Sequence, residues 1–335
     1  MRLFKSFLVK EPKLLALMEF IREPCEKIPP EISASWNSIL LKDSDSRLQE
    51  ERFQNGHMIA THWETVARWI IMRAKRDAKA LKVPLYLIQS ADSFSPSMTV
   101  YMAKKLMNKP NPRHSGGMHG ILPIYLGMKI RILPPHVLAN GLVKDAEGEV
   151  VNIVINPLDQ EEVDGDIASE ADTIYLRHLP LGVWVRMAKY TKAPFCKALR
   201  QMDDSLLSID TQSLVWMEPR TSNPFCFRGH TVVRTGFSFT HGRVIPSTAC
   251  HGRTLPAGVI IDCAHAEHPY GFRTKDDWWV EVYEMLMCAS RLEDVLLMRA
   301  PPSSFLLQGP PNALRWQFKD GSSIAAASSS SGGGL

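Results

Sequence analysis

The sequence predicts an α/β domain interrupted by a small all-β insertion, and three observations carry that reading. A strand–helix–strand unit occupies residues 57–89. Beyond residue 120 the apolar period changes from helical to strand-like, and after residue 230 the α/β character returns. The boundaries this implies are a helical segment over 1–55, an α/β domain built from 56–108 and 236–300, a β insertion over 120–235 and a disordered tail over 316–335.

Residues 1–55 read as short helices separated by Pro24, Pro29 and Pro30 and by a polar stretch at 42–52. The apolar start is broken by Lys5, Lys10, Glu11, Pro12 and Lys13, so it lacks the uninterrupted core of a secretory signal. An amphipathic first helix packing on the body is favoured, with a transit peptide at the acid-free residues 1–10 as the alternative. Residues 57–60 then form a short apolar strand. Thr61-His62-Trp63-Glu64 reads as a capping box, in which the Thr hydroxyl and Glu carboxylate satisfy free amides of the first helical turn. The helix that follows places Val66, Ile70, Ala74, Ala78 and Leu81 on one face, and Arg68, Arg73, Lys75, Arg76, Lys79 and Lys82 on the other. Residues 83–89 read as a buried strand.

Residues 104–120 form a basic connection rich in Pro and Gly, carrying Lys104, Lys105, Lys109 and Arg113. Residues 121–133 alternate in their second half, with Lys129 and Arg131 pointing opposite to Ile130 and Ile132; residues 149–155, 173–179 and 182–187 continue as strands. The acidic stretch 159–172 reads as a solvated loop, and 192–204 as a helical piece. Further on, 231–239 and 259–263 read as strands, the latter with Asp262 near its end. A helix capped by Asp276 and Asp277 runs to about Arg291, and 294–298 is a last buried strand. The tail, with its Ala- and Ser-rich run, is low-complexity.

A length of 335 residues suits roughly two domains. With 45 % hydrophobic and 22 % charged residues the composition is that of an ordinary globular chain, and a formal charge of +4 does not by itself announce a nucleic-acid binder. Cys25, Cys196, Cys226, Cys250, Cys263 and Cys288 are scattered without a C-x-x-C pair, which argues against a zinc ribbon or a disulfide framework. An intracellular compartment, nuclear or mitochondrial, is therefore the expectation. With no run of about 18 apolar residues, no membrane partner is expected.

Two stretches carry chemistry. The first is Thr248-Ala249-Cys250-His251-Gly252-Arg253-Thr254-Leu255, opening onto the strand at 258–262. A Gly-Arg-Thr turn suits contact with a phosphate: Gly252 permits close approach, Arg253 supplies charge and Thr254 a hydroxyl. An ordinary surface turn explains it as well. The second runs from Tyr283 through Met287, Cys288, Ala289, Ser290 and Arg291 to Asp294, ahead of a Leu-rich strand.

Together these stretches resemble the late motifs of superfamily 1B DNA helicases, the group that holds the petite-integration-frequency helicases and the Helitron transposon helicases. The first resembles Thr-x-His-Lys-Ser-Gln-Gly-x-Thr-Leu, the second Tyr-Val-Ala-Leu-Ser-Arg-Ala. Upstream, residues 122–133, with Gly127, resemble the family's Leu-x-x-x-x-Gly-x-x-Val-x-Leu strand. Asn140-Gly141-Leu142-Val143 resembles the turn that enters its small β barrel, although Lys144-Asp145 replaces a second Asn-Gly. Residues 52–67 resemble the opening of the second motor domain. The resemblance spans residues 50–310 in order and implies a RecA-like second motor domain, the carboxy-terminal half of such a helicase, carrying a barrel-like insertion.

The departures bear on activity. His251 stands where the family has Gln, Pro246 where it usually has Thr, and Met287-Cys288 where it has Ser-Arg. In the family that Arg reaches the γ-phosphate as an arginine finger, and a Cys lacks the fork of donors. Arg291 is the possible substitute, its side chain starting about 5 Å further along a helix axis. No G-x-x-x-x-G-K-[ST] occurs, nor any Gly-Lys pair. The resemblance therefore implies that no catalytic residue is intact and that the chain needs no cofactor by itself. ATP and Mg would bind only if a partner chain supplied the first motor domain. Single-stranded DNA is the expected partner, held weakly by Thr248, His251, Gly252, Arg253, Thr254 and, from the insertion, Lys129 and Arg131.

Other constellations carry less. Cys263-x-His265-x-x-His268 beside Asp262 has ligand types but no second cluster, so a solvated loop is preferred to a metal site. Cys250 and His251 are adjacent and lack an orienting acid, which disfavours a Cys–His hydrolase. The basic helix face, with Lys104, Lys105, Lys109 and Arg113, is either solvated or lines a nucleic-acid path. Trp278 and Trp279 either pack or stack on bases. The leading expectation is a helicase-derived DNA-binding fragment. Its rivals are a protein-interaction module on the same fold and a partial reading frame of an active ATP-dependent helicase.

Overall fold

The computed structural model describes residues 11–94, 98–133, 144–187, 213–264, 275–312 and 314–315. The chain divides into two compact units, residues 1–62 with 245–335 and residues 63–244. The first begins with α1 (Pro12–Ile21), α2 (Pro30–Ser38), α3 (Glu51–Gln54) and β1 (His57–Ala60). The second opens with α4 (Trp63–Leu81), β2 (Leu85–Gln89), β3 (Ala91–Phe94), α5 (Val100–Met107), β4 (Ile121–Ile124), β5 (Lys129–Ile132) and β6 (Glu147–Val154). It continues with α6 (Gln160–Ala168), β7 (Thr173–Leu176), β8 (Gly182–Met187), β9 (Leu214–Met217), β10 (Arg220–Thr221), β11 (Phe225–Phe227), β12 (His230–Gly236) and β13 (Phe239–His241). After β14 (Val244–Pro246) the first unit is completed by β15 (Val259–Asp262), α7 (Lys275–Leu286), β16 (Val295–Leu297) and α8 (Ser303–Leu307).

The first unit is built on a sheet of order β14-β1-β15-β16, with β1, β15 and β16 parallel. Strands β15 and β16 are continuous apolar runs buried at every position, the pattern of parallel strands covered on both faces. Helix α1 buries Leu14, Leu17, Met18 and Ile21, one face at 3–4–7 spacing, as an amphipathic first helix should. These side chains share a core with Ile59, Ile261 and Leu297 from the strands and with Val282, Tyr283 and Leu286 of α7. The edge of β16 is covered by the segment after α2, where the Leu41 amide donates to the Leu297 carbonyl and the Leu297 amide to that of Ile39.

The second unit is largely antiparallel. Its five-stranded sheet runs β13-β5-β6-β8-β9; a second runs β10-β12-β11 with β3 also on β12; a third, β4-β2-β7, is mixed. The chain is thus a mixed α/β protein with one parallel sheet and several antiparallel ones.

Several elements differ from the sequence reading. The acidic stretch read as a loop holds helix α6, which buries Val163 and exposes its carboxylates. Strand β2 pairs with β4 and β7 rather than with β1; an apolar run does not name its partner. In α4 the inward face is Val66, Trp69, Ile70, Arg73, Ala74 and Ala78, so Arg73 is buried and Leu81 exposed, the reverse of expectation. Arg73 is tolerated because its Nε donates to both oxygens of Asp77 one turn on. Helix α7 stops at Leu286, well short of Arg291. The Asn140-Gly141 turn, the 192–204 helical piece and the 316–335 tail lie outside the described residues.

Candidate nucleic-acid interface

The 248–255 loop sits between β14 and β15 in the first unit. Strand β14 runs into a 3-10 turn at Ser247–Ala249, and the Arg253 amide closes the next turn on the Cys250 carbonyl at 3.0 Å. Gly252 sits in the left-handed region (φ +69°) with open space where a Cβ would stand. That conformation favours Gly and leaves the backbone accessible to an approaching group. His251, Gly252 and Thr254 are exposed, and Arg253 is half-buried. Thr248 has its Oγ1 buried with no hydrogen-bond partner among the described residues.

Helix α7 backs this loop. The Leu255 amide donates to the Cys288 carbonyl at 2.8 Å, just past the end of α7. The Cys288 thiol, 1 % exposed, lies 3.5 Å from the Cys250 carbonyl and 3.4 Å from that of Glu284. Position 288 is therefore a packing point between the loop and the helix end. Two carboxylates three residues apart on α7 also face the loop. Ser247 Oγ donates to Glu281 Oε2 at 2.8 Å, and the His251 ring nitrogen Nε2 lies 3.0 Å from Glu284 Oε2. Burial pushes the Glu284 carboxyl up, Glu281 adds to this, and the charge of His251 opposes it. Sequence reasoning missed Glu281 and Glu284; their spacing on the helix that precedes Cys288 was the available signal.

Arg291 has extended backbone (φ −136°, ψ 150°), so it does not continue a helix from Cys288. Its guanidinium is held by Asp294, with Nε 3.0 Å from Oδ2, and by Glu293 at 2.9 Å. In the second unit, Lys129 is exposed and paired with Glu149 at 2.8 Å. Arg131 is 3 % exposed and ion-paired with Asp145, so the strand's alternation does not carry it to solvent.

The remaining candidates are structural. Asp262 is paired through both oxygens with Arg299, at 2.9 and 3.2 Å. Burial, and then the neighbouring Asp262 charge, push the Cys263 thiol up to about 12. His265 and His268 lie outside the described residues, among which no cluster of three or more His, Cys, Asp or Glu is placed to hold a metal. Trp278 and Trp279 are both buried, their indole N–H groups donating to the carbonyls of Cys263 and Phe305. Cys250 is buried too, with its thiol 3.7 Å from the Pro246 carbonyl. No described helix is long and apolar enough to cross a membrane.

No family model and no curated protein matches the sequence. Solved structures match in fold. The Pif1 helicase of Candida albicans superposes with a TM-score of 0.50 at 12 % identity, over 92 % of this chain and 57 % of that one. Bacteroides Pif1 bound to single-stranded DNA gives 0.52 at 16 % identity, over 96 % and 56 %. A Bacteroides Pif1 complex with ADP-AlF3 and single-stranded DNA gives 0.50 at 15 %, over 97 % and 56 %. The chain therefore has the fold of part of a Pif1 helicase, and it spans about half the length of the chains it matches.

Proposed function

We propose that this chain is the second motor domain of a superfamily 1B DNA helicase with its β insertion, and that it binds single-stranded DNA without hydrolysing ATP by itself. One observation carries the reading: 92–97 % of the chain follows a Pif1 fold, while the sequence holds no phosphate loop. Strand contact falls to the open loop. Gly252 admits a phosphate to the backbone, Arg253 and Thr254 supply charge and hydroxyl, and His251 sits beside them at the family's Gln position. Thr248 lies at the start of the same loop with its hydroxyl buried, so it supports the loop and does not touch the strand. Lys129 contributes from the insertion, whereas Arg131 serves by holding β5 to Asp145.

Hydrolysis needs a charge fork at the γ-phosphate. Cys288 is buried and offers only a thiol, and Arg291 is tied to Asp294 and Glu293. ATP and Mg are bound only where a phosphate-binding half is supplied. The half-length coverage of its relatives supports this second reading, in which the chain works together with such a half; sizing of the native protein for a species carrying a phosphate loop tests it.

The strand reading is tested by fluorescence anisotropy of a labelled single-stranded oligonucleotide at two salt concentrations. Binding should weaken with salt, because the counterions it releases from the strand gain less entropy in a more concentrated solution. Arg253→Ala should weaken it by about tenfold, as loss of a charge-assisted contact does. Absence of binding at low salt would transfer the reading to a protein-interaction module on a helicase-like fold.

A further inference from the structure

Helix α5 and the β11–β12 hairpin of the second unit bring aromatic rings and cations together. Strands β11 and β12 pair Phe227 with His230, leaving a two-residue turn of Arg228 (φ +50°) and Gly229 (φ +82°). Positive φ at both central residues is the turn that suits a tight hairpin, and it thrusts Arg228 outward. The Phe227 ring beneath it is flanked by two cations, Lys109 Nζ at 5.2 Å and Arg228 Cζ at 5.9 Å from its centroid. On α5, Tyr101 is 61 % exposed, with Lys105 Nζ 4.6 Å from its ring centroid. Lys105 and, more distantly, Arg228 hold the Tyr101 phenol below its usual range, which puts the hairpin tip and the helix face in one field. Among the described residues, none of Lys104, Lys105, Lys109 and Arg228 is paired with a carboxylate. Lys109 also lines a cleft of about 350 Å³ whose wall carries Arg68 and Ile71.

We infer that this face is a binding surface for single-stranded nucleic acid, in which Tyr101 stacks on a base and Lys105, Lys109 and Arg228 take the flanking phosphates. Cations that no carboxylate neutralises favour a polyanion, although Glu64 shares the cleft with Lys109, and an exposed ring held among cations favours one with flat, unpaired bases. The surface shares no residue with the 248–255 loop. It rests on the strand-binding reading and adds a second point of contact to it.

The full chain is titrated with labelled oligothymidine and with an abasic oligonucleotide of the same length. Tyr101→Ala should weaken binding to oligothymidine by about fivefold or more and leave abasic binding nearly unchanged, because only a stacked base is lost. Lys105→Gln and Arg228→Asn should weaken both, each lowering the slope of log K against log salt by about 0.7. All three side chains are exposed, and Asn tolerates the positive φ at 228. Wild-type affinity of Tyr101→Ala for both oligonucleotides would overturn the proposal. If Arg253→Ala alone weakens binding, the strand reading survives and this surface falls. A wild-type chain that ignores both oligonucleotides but binds polyglutamate would make the occupant an acidic protein segment and overturn both.

Discussion

Arg234 is the most demanding side chain in the second unit, and its removal should be correspondingly costly. It is 0 % exposed, and its Nε and Nη2 donate to the two oxygens of Asp92 at 2.7 Å each. Its Nη1 and Nη2 also donate to the carbonyls of Met118 and Leu106, each at 3.3 Å. One guanidinium thus ties β12, β3, the end of α5 and the loop before β4. Removing one partner of such a buried pair leaves an uncompensated charge, which costs about 3–5 kcal/mol. Asp92→Ala or Arg234→Ala should therefore lower amide protection in β12 and β3 by about two to four orders of magnitude, read by native-state hydrogen exchange on the full chain. The double variant Arg234→Met/Asp92→Leu removes both charges and should recover most of that protection, because the penalty lies in the orphaned charge and not in the missing attraction. A single variant losing less than tenfold in protection would refute the reasoning, as would a double variant no better than the singles.

Three further outcomes are expected. His119 is buried against Thr240, at 2.9 Å, and burial first, then Arg131 and Arg234, lower its pKa to about 4. The unfolded chain thus binds a proton between pH 6.5 and 4 that the folded one refuses, so about 3 kcal/mol of stability present above pH 6.5 is lost as pH falls to 4. His119→Gln should flatten that part of the urea-midpoint profile, and an unchanged slope would assign it elsewhere. Cys288→Arg should leave the chain without DNA-stimulated ATP turnover, because the sequence carries no phosphate loop. It should also lower the urea midpoint, since a guanidinium must enter a site where the thiol is 1 % exposed; measurable turnover would sink the first claim. Gly182→Ala would place a Cβ 2.1 Å from the Trp216 ring, which itself packs on Trp184 at 5.0 Å between centroids. A changed near-ultraviolet circular dichroism signal with a lowered midpoint is expected, and a silent substitution would count against this packing.

Much of the fold was legible in the chain because it is written in local period. The β15 and β16 runs and the inward stripe of α1 each follow from burying one face or both of a regular element. Period says nothing of partners, which is why β2 reads as part of the α/β domain with β1 and instead pairs with β4 and β7. It also misjudges charge. Arg73 and Arg131 sit where a polar residue should face water, yet each is buried because a carboxylate, Asp77 or Asp145, waits to neutralise it.

At the candidate site the residue types were legible and the geometry was not. The Gly-Arg-Thr run at 252–254 and the Cys at 288 are read directly from the chain, whereas the left-handed turn at Gly252 and the packing of Cys288 on the same loop are seen only in the structure. That Glu281 and Glu284 back the loop, and that Asp294 holds Arg291, depends on where α7 stops and on which face it turns inward. The sequence by itself determined the missing phosphate loop and the α/β class, since both are properties of residue order. Only the tertiary structure decided which cations are spent in ion pairs and which, like Lys105 and Arg228, stand free of carboxylates. Charge neutralisation is a matter of distance in space, and distance in space is not encoded in spacing along the chain.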